Sequence, residues 1–156
     1  MPVVHAHVSE EVIDAEKLRL LVDSPTAGAV AVFLGQIRNH DAEAQGEVAS
    51  IYYSGHPDAD AMIWPIVAAV LDDLDPAGEA LVSAQHRVGH LEVGELAIVV
   101  AASSGHRRLA FSVCETVVER IKADLPIWKH QTEVDGRKVW SNLGLDDGST
   151  AGTGTS

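Results

Sequence analysis

The cations of this chain are few and gathered together. Against twenty-three Asp and Glu it has eleven Lys and Arg. Of these, Arg107, Arg108, Arg120, Lys122, Lys129, Arg137 and Lys138 share one stretch, with His106 and His130 alongside. In a chain of net charge −12, that concentration points to a local site for an anion. The stretch opens with Ser103-Ser104-Gly105-His106-Arg107-Arg108, ahead of an apolar-periodic run. A helix beginning there aims unpaired N–H groups and the positive end of its dipole outward. His106 and the arginines would add charge-assisted bonds to a phosphate or carboxylate. On these residues alone a second reading stands beside the first: Ser104 as a plain N-cap, with the arginines as a solvated face.

Lys122 follows Ile121 at the edge of the apolar stripe, and Lys129 follows Trp128 just past Pro126. A lysine set among apolar groups and other cations can lose basicity and act as nucleophile or proton carrier near neutral pH. More often such a side chain lays its stem on apolar surface and leaves the ammonium in water. Residue type leaves both open. Cys114 lies in the middle of the stripe, which favours a buried, inert thiol. His86 and His90 are four apart in a strand and a turn, no Cys or carboxylate pattern completes a set, and no metal is expected. The chain contains no Gly-x-Ser-x-Gly elbow, Walker loop or dinucleotide fingerprint.

The elements that must position these residues are legible in outline. Val3 to Val8 alternates as a strand, and a helix is expected from about Asp14 to Val22, ended by Pro25 and Gly28. Ala29 to Leu34 is a valine-rich apolar run, and Gly35 to His40 opens a polar loop. Val48 to Tyr53 reads as a strand. A helix follows His56-Pro57-Asp58, with Pro65 expected to remove a hydrogen bond and bend it. Two strands, Ala80 to Val88 and Glu95 to Ala102, are expected to join near Gly89 to Gly94, the second lying inside the sheet. After Gly105, Ala110, Cys114, Val117, Val118 and Ile121 form one helical stripe. Ile127 to Val134 and Arg137 to Trp140 are expected to pair across Asp135-Gly136. The sum is an α+β domain: a mostly antiparallel sheet with packed helices.

Length and composition set the limits. At 156 residues the chain is most simply one domain, spanning 1–145, followed by a Gly/Ser/Thr tail, 146–156, expected to be disordered. The acidic balance argues against nucleic acid and anionic membranes as partners. Met1 to Glu10 shows no apolar signal core, and the longest apolar run falls well short of the ~20 residues of a membrane span. One cysteine excludes an internal disulfide and suits the cytoplasm.

Four segments then fall into one order: Gly35-Gln36-Ile37-Arg38-Asn39-His40; His86-Arg87-Val88-Gly89 with Gly94-Glu95; Ser103-Gly105-His106-Arg107 with Ala110-Phe111; and Lys122 through Pro126-Ile127-Trp128-Lys129. Together they resemble the large, catalytic subunit of molybdopterin synthase, over roughly 28–140. The resemblance implies an α/β-hammerhead-like fold and a sulfur-transfer reaction that needs no cofactor. Cyclic pyranopterin monophosphate becomes molybdopterin when two sulfurs are inserted as a dithiolene. The sulfur arrives as a thiocarboxylate on the C-terminal glycine of a small ubiquitin-like subunit. A homodimer of the large chain, with a small subunit at each end, is implied as well.

By the same resemblance, Lys122 is the central catalytic lysine and Lys129 the second, which also touches substrate. Arg38 with Gln36 and Ile37, His106 with Arg107 from the partner protomer, and His130 with Gln131 are the implied substrate contacts. Gln36 stands where such proteins often have lysine, and His130-Gln131 where a basic residue and glutamate are common. A scaffold that binds a ubiquitin-like tail without catalysis is the alternative, though it has no use for Lys122. A third reading is an unrelated phosphoester-binding enzyme that uses the helix after Gly105.

Overall fold

The computed structural model describes residues 3–40, 47–133, 136 and 138–142. In chain order the elements are β1 (Val3–Ser9), α1 (Ala15–Leu21), β2 (Ala29–Gln36), β3 (Val48–Gly55), α2 (Ala59–Leu74) and β4 (Leu81–Arg87). Then follow β5 (Gly89–Glu92), β6 (Leu96–Ser104), α3 (Arg107–Asp124), β7 (Ile127–Glu133) and β8 (Lys138–Asn142). The strands form two four-stranded sheets rather than one, ordered β1-β4-β6-β2 and β5-β3-β7-β8. Among the described residues only β1 and β4 pair in parallel. The α+β class and the antiparallel character therefore hold, while the single sheet divides into two.

In the first sheet β6 is central and buried along nearly its whole length, as its unbroken apolar run requires. Its alternate residues serve two layers. Ile98, Val100 and Ala102 join the main core under α2 and α3, whereas Val99 packs with Ile13 and Leu18 of the α1 segment. Two buried hydroxyls fasten α1 to that second face. Ser83 Oγ donates to the Leu18 carbonyl at 2.7 Å, and Ser103 Oγ donates to the Val22 carbonyl at 2.6 Å. These bonds give partners to two carbonyls at the C-terminal end of the α1 segment, where the intrahelical ladder runs out. Asp14 caps the other end, accepting from Lys17 N at 3.1 Å.

The buried stripe of α3 is Ala110, Val113, Cys114, Val117, Val118 and Ile121, and α2 contributes Ile63, Val67, Val70 and Leu71. Helix α2 runs without interruption through Pro65. The second sheet adds Ile51, Tyr53, Leu91 and Ile127 to the same core, so one apolar interior unites both sheets.

Two details differ from the sequence reading. The Gly89 to Gly94 connection contains a strand of its own, β5, which pairs with β3. Glycines at both ends, each at positive φ, made it look like turn throughout. Ser104 is the buried last residue of β6 and not an N-cap, and His106 takes that position without a side-chain cap bond. The expected β7–β8 hairpin forms, with Gly136 at φ 88°, while Asp135 of its turn and the tail 146–156 lie outside the described residues.

Candidate functional site

A pocket of about 280 Å³ opens where the two sheets meet. Gly35, Gln36, Ile37 and Arg38 line it from the end of β2, and His86, Ala97 and Ile98 from β4 and β6. Ile51, Tyr53 and Lys129 approach from the second sheet, and Lys122 from the last turn of α3. The described lining residues include three permanent cations and no carboxylate.

Each cation is placed by local chemistry. Lys122 is an exposed residue beside the buried Ile121, and its Nζ lies 5.8 Å from the centre of the Phe33 ring. The negative face of the ring and the C-terminal end of the helix dipole both favour an ammonium there. Past Leu125 the chain reverses tightly around Pro126, with Ile127 N donating to the Leu125 carbonyl at 2.8 Å. That turn sends β7 back beside β3 and sets Lys129 opposite Tyr53. At Arg38 the backbone carries the placement. Ile37 N donates to the Glu95 carbonyl at 2.9 Å, and Gly94 N donates to the Ile37 carbonyl at 2.7 Å. Glu95 is itself fixed: its carboxylate accepts from Glu92 N at 2.9 Å and from Arg87 at 2.8 Å. Those two bonds hold its pKa below the ordinary carboxylate value. A Cβ at Gly35 would stand 2.5 Å from Ile98 Cγ2, so glycine is what lets β2 lie this close to the Ile98 side chain at the pocket wall.

His86 and Tyr53 received no role from the sequence, yet both line the pocket. The imidazole is 3% exposed, and its Nδ1 lies 2.8 Å from the Arg87 carbonyl oxygen. Burial lowers its pKa to about 4, so the ring is neutral at physiological pH. Tyr53 meets it edge-on, with ring centres 5.2 Å apart. Strand alternation in β4 gives the spacing of such a residue but not which face looks into a cavity between two sheets.

Of the residues expected to form the site, Gln36, Ile37, Arg38, Lys122 and Lys129 come together. Ile37 is buried and acts chiefly as an anchor. The other four do not join them within one chain. His106 and Arg107 start α3, ~24 Å from Lys122 by helical rise. His106 lines a separate hollow with Ser24, Thr26 and Ser104, and Arg107 another with Val30 and Phe111. His130 pairs with Tyr52, on the opposite face of the second sheet from Lys129, because successive strand residues alternate. Gln131 returns to the inner face opposite Ile51, but it is fully buried and lines none of the pocket. Among the described residues no cluster of His, Cys, Asp and Glu is arranged to hold a metal ion, and no helix is long and apolar enough to cross a membrane.

Comparison with known proteins gives a consistent result. The molybdopterin synthase catalytic subunit of Nostoc sp. is 31% identical over 133 residues, covering 85% of this chain and 78% of that protein. The protein of the same name from Bacillus subtilis is 33% identical over 131 residues, covering 84% and 81%. In three dimensions, the crystal structure of molybdopterin synthase from Staphylococcus aureus superposes with a TM-score of 0.78 at 28% identity, covering 87% of this chain and 96% of that one. The family model described as MoaE protein matches residues 8–124, which include Arg38, His86 and Lys122. The chain belongs to the MoaE protein family, whose relatives named here are catalytic subunits of molybdopterin synthase.

Proposed function

We propose that this chain is the catalytic, sulfurtransferase subunit of a molybdopterin synthase. In this reading it takes sulfur from the thiocarboxylated C-terminal glycine of a small ubiquitin-like subunit and delivers it to cyclic pyranopterin monophosphate. The observation that carries the reading is the pocket at the junction of the sheets, where Arg38, Lys122 and Lys129 converge. Both reactants are anions, and a protein of net charge −12 repels them everywhere except at such a cluster. Freeing sulfur from the glycine carbonyl passes through a negatively charged tetrahedral centre, which fixed cations stabilise more than they stabilise the ground state.

Lys122 is assigned to that centre, Lys129 to both centre and substrate, and Arg38 with Gln36 to the pterin phosphate. His106 and Arg107 are assigned to the pocket of a second protomer, since within one chain they stand at the far end of α3. His130 and Gln131 are not assigned a direct contact. The partner supplies the nucleophilic sulfur, which agrees with a lone cysteine that is buried and hydrogen-bonded to the Val100 carbonyl. A single reduced thiol also fits a cytoplasmic enzyme.

Reconstitution tests the proposal directly. The chain, cyclic pyranopterin monophosphate and a thiocarboxylated small subunit are combined and molybdopterin is measured. Product with the natural chain and none with Lys122→Ala is the expected result. Absence of product despite tight small-subunit binding would replace the enzyme with the scaffold reading.

A further inference from the structure

We propose that His86 is a positioning residue for Lys122: its Nε2 lone pair accepts a hydrogen bond from the lysine ammonium and holds it over the pocket. The consequence for turnover rests on the sulfur-transfer reading above, whereas the pairing rests on the pocket that both residues line. In the structure the ammonium lies over the Phe33 ring, and a swing of its stem brings it to Nε2.

The tautomer follows from one distance. Nδ1 lies 2.8 Å from the Arg87 carbonyl oxygen, and a carbonyl only accepts, so Nδ1 carries the proton. Nε2 is then left as a lone-pair acceptor. The ring cannot easily turn, because it is 3% exposed and Tyr53 packs against it at 84°. It nevertheless lines the pocket that Lys122 also lines. Burial keeps it from becoming a cation, and the Lys122 charge is close enough to lower its basicity further. A charged imidazolium would repel the neighbouring ammonium, whereas a neutral ring with a fixed lone pair attracts it.

Lys122 needs such a guide. It is exposed on a flexible stem, and the Phe33 ring face it lies over, 5.8 Å away, gives little direction. An ammonium has three donors. With one directed to Nε2, the remaining donors can point to a bound anion.

Nitrogen-15 spectra of histidine-labelled chain test the contact without substrate. The His86 Nε2 should resonate as an unprotonated nitrogen, should move on Lys122→Leu, and should stay in place on Lys129→Leu. A protonated Nε2, or one indifferent to Lys122, overturns the proposal. Turnover in the assembled synthase supplies the second arm. His86→Leu, which lacks an acceptor, should lower kcat by ~10–100-fold with KM within about two-fold, and His86→Gln, which keeps one, should recover most of the loss. Equal loss in both variants would reduce His86 to packing and overturn the proposal. Should His86→Leu fail to fold, the lysine variants still decide. Should the natural chain give no product, the sulfur-transfer reading fails while the spectra still decide the contact.

Discussion

Lys129 stands directly opposite Tyr53 across the β3–β7 pairing, on the face of the second sheet that looks toward the first. Cross-strand neighbours in this arrangement share a face and lie ~5 Å apart at Cβ. Tyr53 in turn touches His86 of the other sheet. One pair in register thus brings a lysine of β7 to the pocket that Lys122 enters from α3.

Because that register fixes Lys129 on a rigid strand, removing its charge should cost catalysis and not assembly. Lys129→Ala is expected to lower kcat by ~100-fold, the scale of losing one fixed donor to a developing oxyanion. Small-subunit binding should be retained. Steady-state kinetics with separately measured subunit affinity check both halves.

How much of this was legible before the structure depends on how local each feature is. The α3 stripe from Ala110 to Ile121 is written in helical spacing and forms as expected. The convergence of Lys122 with Lys129 is not, because it depends on the turn at Pro126 and on pairing with β3, a partner some 75 positions earlier. The resemblance to a family supplied what spacing lacked. It did not distinguish the two faces of β7, and so His130 was grouped with Lys129 although alternation sends them apart. His86 belongs to the His86-Arg87-Val88-Gly89 motif but gains no role from it, since nothing local says that a buried strand histidine borders a cavity.

Gln131 marks a cost carried by the fold. It is 0% exposed, and among the described residues neither its Nε2 nor its Oε1 has a hydrogen-bond partner. An unsatisfied buried polar group costs ~1–3 kcal/mol. Gln131→Met keeps the length and removes the amide, so it should stabilise the chain by about 1 kcal/mol or more. Urea unfolding should show a higher midpoint at unchanged slope.

Cys114 allows a test of accessibility. Burial pushes its thiol up to about 11, and its Sγ donates to the Val100 carbonyl at 3.6 Å. Since the thiolate is the reactive form, a neutral-pH thiol reagent should modify the folded chain far more slowly than the urea-unfolded one. Cys114→Ser should cost ~1 kcal/mol of stability, because a more polar group replaces the thiol in an apolar stripe. It should leave turnover unchanged. Rapid labelling of the native chain would refute the buried, inert assignment.

His86 should also make stability depend on pH. Its folded pKa is about 4, against 6.5 for the unconstrained side chain. Between those values the unfolded chain binds a proton at this position that the folded chain refuses. Stability therefore falls as pH drops from about 6.5 to about 4, and this one group accounts for about 3 kcal/mol across that window. His5 is depressed too, chiefly by burial, and contributes a loss of the same sign. Comparison with His86→Leu isolates the His86 share, because His5 titrates in both chains. The natural chain should lose more stability than the variant when urea unfolding is moved from about pH 7.5 to about pH 4.5. Parallel losses in the two chains would mean that His86 takes up its proton while folded, and that the neutral, fixed tautomer assigned to it is wrong.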